Sequence, residues 1–144
     1  MVIEKVMKHI RNFFEVGYVD GDFEITANGE ILPSDGLNGQ YIAIEGSTYN
    51  NGVHVLNDDK SIECEHAERF TGRVWILHPP KAFVELCEQI EEYNKKTPVS
   101  AFVSESFGGW SGTRATGSHG VMTWHDAFAN ELSDYRKMFT EVDV

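Results

Sequence analysis

Short alternating apolar runs, separated by turn-forming residues, constrain the fold of this chain more than any other feature of its sequence. They occupy residues 20–78, where Asn28-Gly29 and Asn50-Asn51-Gly52 stand between successive runs. Asn-Gly pairs favour two-residue hairpin turns because both central positions need a positive φ. Strands at this spacing are typical of a small antiparallel sheet or barrel and not of βαβ units. The predicted strands are residues 23–26, 30–32, 41–45, 53–56, 61–64 and 73–77.

Apolar residues at helical spacing lie on both sides of these runs. Near the amino terminus they predict an amphipathic helix, which Gly17 can end by taking the left-handed conformation. After Pro79-Pro80, which stop the last strand, a second apolar stripe predicts another helix. Thr123 can cap a third helix, whose apolar stripe comprises Trp124, Phe128, Leu132, Tyr135 and Phe139.

These patterns together predict one α+β domain. A small antiparallel β module, either barrel-like or an open sheet, is inserted between an N-terminal helix and two C-terminal helices. Gly, Ser and Thr dominate the segment between the last two helices, and a loop of that length is usually functional or mobile. The predicted boundaries are a helix over 1–17, the β-rich module over 20–78, a helix over 79–97, a glycine-rich loop over 98–122 and a helix over 123–140.

Charge and cysteine content exclude several classes of protein. Acidic residues outnumber basic ones by 23 to 12, which gives the 144-residue chain a formal charge of -11. Such an excess disfavours sequence-independent binding to nucleic acid, which needs clustered Lys and Arg. No apolar run has the length of a membrane span or of a signal peptide, so we expect neither membrane association nor export. Cys64 and Cys87 are too few for a disulfide scaffold and indicate a reducing, cytoplasmic setting.

Patterns typical of catalytic or cofactor sites are scarce. Gly109-Trp110-Ser111-Gly112 is close to a nucleophile elbow, but Thr113 stands where that motif needs glycine. Cys64 and His66 could both bind a soft metal, yet a structural zinc needs four ligands and the spacing demands no others. The loop glycines also lack the lysine and hydroxyl residue that end a phosphate-binding loop. We therefore predict no catalytic residue, no metal and no cofactor, and we expect that the protein is not an enzyme.

Three segments of the chain carry a family resemblance, and one of them is the glycine-rich loop with the helix after it. The loop begins with Ser104-Glu105-Ser106-Phe107-Gly108-Gly109-Trp110-Ser111, and the following helix carries Tyr135 and Arg136. Two further segments carry the same resemblance: residues 10–18, and residues 39–47 with 50–53 followed by 70–75. Together these segments resemble the head–tail connector proteins, also called head-completion or adaptor proteins, of long-tailed phages and Firmicutes prophages. The resemblance spans most of the chain.

The resemblance implies a structural component of the virion neck that assembles in the host cytoplasm. Members of this family form a ring beneath the portal protein and above the stopper or tail proteins, and packaged DNA passes through that ring without specific binding. In related adaptors a loop and the terminal helix contact the portal and neighbouring subunits. Carried onto this chain, the interface residues are Ser104, Glu105, Ser106, Phe107, Gly108, Gly109, Trp110, Ser111, Tyr135 and Arg136, with Phe107 and Trp110 as the expected anchors.

Two alternatives stay open from the sequence. The first is a small enzyme or ligand-binding module, in which the sheet forms a pocket and the glycine-rich loop forms a lid. The second is a tail-completion or stopper protein, which would share the virion neck with a connector but occupy another position. Binding of a small molecule by a discrete monomer or dimer favours the first, whereas association with the portal favours a connector.

Overall fold

A computed structural model describes residues 1–64, 66–96 and 122–144. The described residues form an N-terminal helix, an antiparallel sheet and C-terminal helices, which confirms the predicted α+β class. The elements are α1 (Val2–Ile10), β1 (Glu15–Ile25), β2 (Ile31–Leu32), β3 (Tyr41–Glu45), β4 (Gly52–Val55), β5 (Glu68–Leu77), α2 (Lys81–Lys96), α3 (Trp124–Ala127) and α4 (Ala129–Ser133).

The strands form one five-stranded antiparallel sheet that curls into a half-barrel, with the order β2-β1-β5-β3-β4. The long strands β1 and β5 pair from Glu15 opposite Leu77 to Ile25 opposite Glu68. Along most of β1, exposed residues alternate with less exposed ones, so the sheet has an inner and an outer face. The inner face packs a buried apolar core: Phe23, Ile25, Ile31, Leu37, Ile42, Ile44, Leu56, Ile62, Phe70 and Val74.

The chain divides into two compact units. The β-rich unit contains Ile3–Pro80 and Lys137–Val144, and the helical unit contains Lys81–Arg136. In the helical unit, α2 confirms the helix predicted over 79–97, although it begins only after the two prolines. Its last turn carries two lysines, where positive charge is stabilised by the helix dipole. Its buried side chains are Phe83, Leu86, Cys87 and Ile90.

The N-terminal helix is shorter than the predicted 1–17. It ends where Arg11 adopts a left-handed conformation with a φ of 58°, and the N–H groups of Arg11 and Asn12 bond to carbonyls of the last helical turn. The Oδ1 atom of Asn12 then accepts a hydrogen bond from the N–H of Phe14 at 3.0 Å. Phe13 is buried although it lies beyond the helix. The apolar spacing therefore continued through the turn, which made the helix look longer than it is.

The prediction of a single C-terminal helix over 123–140 is wrong. Two short helices stand there instead, because Phe128 takes a non-helical conformation (φ −111°, ψ 18°) between α3 and α4. Helical structure ends at Ser133. The N–H of Lys137 donates to the carbonyl of Ile10 at 2.8 Å, so the chain beyond that point is held by the β-rich unit.

The predicted turns and short strands have mixed outcomes. A turn connects β1 and β2 at the predicted place, but it is not the predicted two-residue turn: the N–H of Gly29 bonds to the carbonyl of Thr26, and of the Asn28-Gly29 pair only Gly29 has a positive φ, 83°. An added Cβ at Gly29 would lie only 1.9 Å from the carbonyl oxygen of Ile62, so glycine is required there for space as well. The connection between β3 and β4 is a longer loop, residues 46–51, and not a two-residue turn. The strand predicted over 61–64 is wrong, since Ser61 forms only an isolated bridge.

Each edge strand of the sheet carries a feature that opposes pairing with another chain. β2 has two residues and is followed by Pro33, which has no N–H to donate. At β4, the carboxylate of Glu4 accepts a hydrogen bond from the N–H of Val53 at 2.9 Å. Unpaired edge groups otherwise act as a template for aggregation. We therefore expect the protein to contact partners through side chains and not by strand addition.

Replacement of Glu4 by alanine should lower the free energy of unfolding by about 1–2 kcal/mol and increase self-association, because the Val53 N–H loses its partner. Lys8→Ala is the matched control. It removes the 3.1 Å ion pair between Lys8 and Glu4 but leaves the bond to Val53, so the expected change is below about 0.5 kcal/mol. Urea denaturation and sedimentation velocity measure both effects. Equal losses in the two variants would contradict the role of Glu4 at the sheet edge.

Candidate functional site

The interface residues predicted from the sequence fall into two groups. Residues 104–111 lie outside the described residues. Tyr135 is half-buried, and its ring packs edge-on against Phe83 with 5.2 Å between the ring centroids. It therefore contributes to the packing of the helical unit. Arg136 follows in the next position and is exposed.

The C-terminal segment of the β-rich unit, residues 137–143, forms what we call the terminal strap. Its first part is held by three contacts near the end of α1. The N–H of Lys137 bonds to the Ile10 carbonyl, and the guanidinium of Arg11 donates to the carbonyl of Met138 at 2.9 Å. The ammonium of Lys137 lies 3.7 Å from a carboxylate oxygen of Glu15. These bonds fix the backbone of the strap at its start.

The far end of the strap is also anchored. Val142 is buried, and the N–H of Asp143 donates to Oε1 of Glu45 at 2.7 Å. The same oxygen accepts a hydrogen bond from the indole N–H of Trp75, also at 2.7 Å. Because Trp75 is 3% exposed, this end of the strap is tied to the packed part of the sheet.

Between these anchors the strap presents two large apolar side chains to solvent. Met138 is 84% exposed and Phe139 is 75% exposed. The helical spacing of Phe139 predicted that it belongs to an apolar stripe, and the structure contradicts this because no helix reaches it. Scattered exposed apolar side chains are ordinary, but two adjacent ones on a backbone held at both ends offer a preformed contact surface. We call Met138 and Phe139 the strap surface.

An aromatic and charged cluster covers part of the outer face of the sheet. The guanidinium of Arg73 lies 3.8 Å from the ring centroid of Tyr18 and forms a two-pronged hydrogen bond with Asp20, at 2.6 and 3.0 Å. The hydrogen bonds from Arg73, together with its charge, outweigh desolvation and hold the pKa of Asp20 below its ordinary value. The same bonds raise the pKa of Arg73. This cluster is internally paired and braces β1 against β5.

A polar cleft lies elsewhere in the β-rich unit, beside the loop over residues 46–51. Its volume is about 840 Å³. We call it the amide cleft because four of its eleven lining residues are asparagines. It is lined by Ala27, Asn28, Tyr49, Asn50, Asn51, His54, Asn57, Ser61, Ile62, Glu63 and Cys64.

The carboxylate of Glu68 organises the loop beside the cleft. It accepts hydrogen bonds from the hydroxyl of Ser47, from the backbone N–H groups of Thr48 and Tyr49, and from the side-chain amide of Asn50. Burial of the carboxylate opposes its ionisation, but these four donors together outweigh it and lower the pKa of Glu68. The loop is thus held around one charged acceptor from the neighbouring strand β5.

No local sequence pattern marked the amide cleft as a site. Its walls come from the β1–β2 turn, the 46–51 loop, β4 and residues 57–64, and the Glu68 bonds join positions about twenty residues apart. The one available indication was the Asn50-Asn51-Gly52 stretch, which predicted a turn. Asparagine is common in turns for conformational reasons, so its presence does not by itself indicate binding.

The two cysteines differ in environment. Cys64 lines the amide cleft and is half-buried, whereas Cys87 is 4% exposed within α2. Desolvation, with a smaller effect of Glu88, raises the pKa of the Cys87 thiol to about 12. Because the thiolate is the reactive form, Cys87 should be inert in the folded protein.

Alkylation with iodoacetamide at about pH 8 should therefore label Cys64 at least about tenfold faster than Cys87. Mass spectrometry of the intact protein and its peptides measures the two rates. Cys64→Ser should abolish the fast phase, and Cys87→Ser should leave it unchanged. Fast labelling of Cys87 would show that α2 is less well packed than its buried stripe indicates.

Within the described part of the chain, no helix is long and apolar enough to span a bilayer.

Comparisons with known proteins give no information about this site. No protein-family model, curated protein or solved structure matches the chain.

Proposed function

We propose that this protein is a head–tail connector of a phage or prophage virion. It docks on the portal protein as a ring, contacts the stopper or tail proteins on its other side, lets DNA pass and catalyses no reaction. The observation that carries the proposal is the strap surface: Met138 and Phe139 are 84% and 75% exposed on a backbone anchored at both ends. The resemblance of the sequence of residues 104–111 to connector sequences supports the same function.

The strap surface has the energetics expected of a repeated contact. Burial of a methionine or phenylalanine side chain contributes about 1.5–3 kcal/mol, so one strap alone would bind weakly. Simultaneous contacts around a ring raise the overall avidity without any new interaction. Since the strap backbone is already ordered by its hydrogen bonds, docking loses little further backbone entropy there.

Charge and sheet edges also suit a ring that DNA traverses. The net charge of -11 disfavours retention of a polyanion, so DNA could slide past acidic subunits. Pro33 beside β2 and Glu4 at β4 oppose strand addition, which leaves side-chain surfaces for contacts between subunits. Both features are compatible with a stable monomer that assembles only when a partner surface is present.

The double variant Met138→Ala, Phe139→Ala tests the proposal. The portal protein of the same genome is immobilised, and binding of the wild-type protein and the variant is measured by biolayer interferometry. We expect the variant to bind at least about tenfold more weakly. Because both side chains are largely exposed, its melting temperature should stay within a few degrees of the wild-type value.

The matched control is Tyr49→Ala, which removes another exposed aromatic side chain (62% exposed) outside the strap surface. This control should bind the portal as well as the wild-type protein does. Unchanged portal binding by the strap variant would refute docking through the strap. Failure of the wild-type protein to bind the portal would refute the connector function as a whole.

A further inference from the structure

We propose that the amide cleft is a second binding site, and that its ligand is a neutral saccharide. The proposal is independent of the strap surface and goes beyond docking on a portal. It rests on the composition of the cleft walls, on the bonds that fix them and on one exposed aromatic ring at the rim.

The charges and polarity of the cleft disfavour several other ligand classes. No Lys or Arg occurs among the eleven described residues that line it, and Glu63 contributes a carboxylate, so phosphates and carboxylates are disfavoured. Metal ions are disfavoured too, because among residues 1–64, 66–96 and 122–144 no three His, Cys, Asp or Glu side chains are grouped to hold one. Most of the lining side chains are polar, which argues against an apolar ligand. These observations favour a polar ligand without negative charge, and a neutral saccharide is the class that we propose.

Two asparagines outside the 46–51 loop, Asn28 and Asn57, offer side-chain amides to a polyhydroxylated ligand. The side-chain amides of Asn50 and Asn51 are already bonded to other groups of the protein. An amide both donates and accepts, as each sugar hydroxyl does, so pairs of hydroxyl groups match it well. Asn28 is exposed on the β1–β2 turn at the cleft wall. The ring of His54 also lines the cleft, and its Nε2 donates to the Asn50 carbonyl oxygen at 2.7 Å.

Tyr49 supplies the apolar surface that a sugar ring requires. Its side chain is 62% exposed, and its ring lies 4.6 Å from that of His66, centroid to centroid. The C–H face of a pyranose can pack on such a ring because the ring offers a flat apolar surface. The hydroxyl groups of the sugar would then face the polar walls of the cleft.

The walls are ordered before any ligand binds. The N–H of Tyr49 bonds to Glu68 and to the hydroxyl of Ser47, and the side chain of Asn51 bonds to both the N–H and the carbonyl of Ser47. Side chains held in this way lose little entropy on binding, which favours affinity for a weakly interacting ligand. The volume of about 840 Å³ lies within the range of small-molecule sites and has room for a short oligosaccharide.

A printed array of neutral, sialylated and sulfated glycans tests the proposal with the intact protein. We expect binding to neutral glycans and none to the charged ones. The best neutral glycan is then titrated by isothermal calorimetry. Tyr49→Ala should weaken binding at least about tenfold, and Tyr49→Phe should restore it, because the ring face is the contact.

Two controls separate this site from the strap surface. Phe139→Ala removes an exposed aromatic side chain elsewhere and should leave glycan binding unchanged. Binding of the glycan should slow the alkylation of Cys64, which lines the cleft. The proposal is overturned if no neutral glycan binds, if charged glycans bind in preference, or if Tyr49→Ala binds as tightly as the wild-type protein. The first of these outcomes would leave the portal-docking proposal intact.

Discussion

Replacement of Gly72 by alanine should destabilise the β-rich unit by about 3 kcal/mol or more. An added Cβ would lie 2.1 Å from the carbonyl oxygen of Glu45 and 3.1 Å from the Cα of Gly46. Both contacts are with backbone, which cannot move without separating β5 from the end of β3. The urea midpoint of unfolding measures the loss.

Gly17→Ala is the matched control. Gly17 lies in β1, which pairs with the strand β5 that contains Gly72, and an added Cβ at Gly17 meets nothing within 4 Å. Its expected effect is neutral or a gain of about 0.5 kcal/mol, because alanine restricts the unfolded chain. If Gly72→Ala unfolded at the same urea concentration as Gly17→Ala, the close approach of the β3 and β5 backbones would not exist in solution.

The second large effect concerns Glu68. Glu68→Gln should lower the free energy of unfolding at neutral pH by about 2 kcal/mol, because four donors lose a charged acceptor. Since the folded protein lowers the pKa of Glu68 below its ordinary value of 4.5, the carboxylate stabilises the fold above that pH. This stabilisation disappears as the pH falls through the lowered pKa of the folded state.

The difference in stability between the wild-type protein and Glu68→Gln should therefore shrink below about pH 4.5 and vanish once Glu68 is protonated in both states. Urea denaturation across a pH series measures it. Glu30→Gln, which changes an exposed carboxylate of the same unit, should alter stability by less than about 0.5 kcal/mol throughout. A difference that persisted unchanged at low pH would mean that the carboxylate charge does not organise the loop.

Local patterns predicted the parts of the fold that depend on local interactions. The turn at Asn28-Gly29, the strand over 41–45 and helix α2 each follow from the residues within them. The end of α1 could not be predicted in this way, because the left-handed residue is Arg11, a residue type that gives no indication of a cap. Phe13 and Phe14 also continued the helical spacing into a turn.

The C-terminal residues show the limit of periodicity more clearly. Phe139 fits an apolar helical stripe, yet the chain leaves the helix at Ser133 and is held by bonds to Ile10, Arg11 and Glu45. Those partners lie 98 to 127 positions away in the sequence, and no local pattern encodes them. The strap surface depends on these distant bonds, and the amide cleft depends on bonds between positions about twenty residues apart. Neither surface could therefore be predicted from local sequence patterns.

Photo-crosslinking from position 139 during particle assembly tests the central claim most directly. Phe139 is replaced by p-benzoylphenylalanine in the assembling particle, with the same replacement at Tyr49 as the control, and the crosslinked partners are identified by mass spectrometry. We expect crosslinks from position 139 to the portal protein and none to the portal from position 49. Particles that contain this protein but give no crosslink from position 139 to the portal would contradict docking through the strap surface.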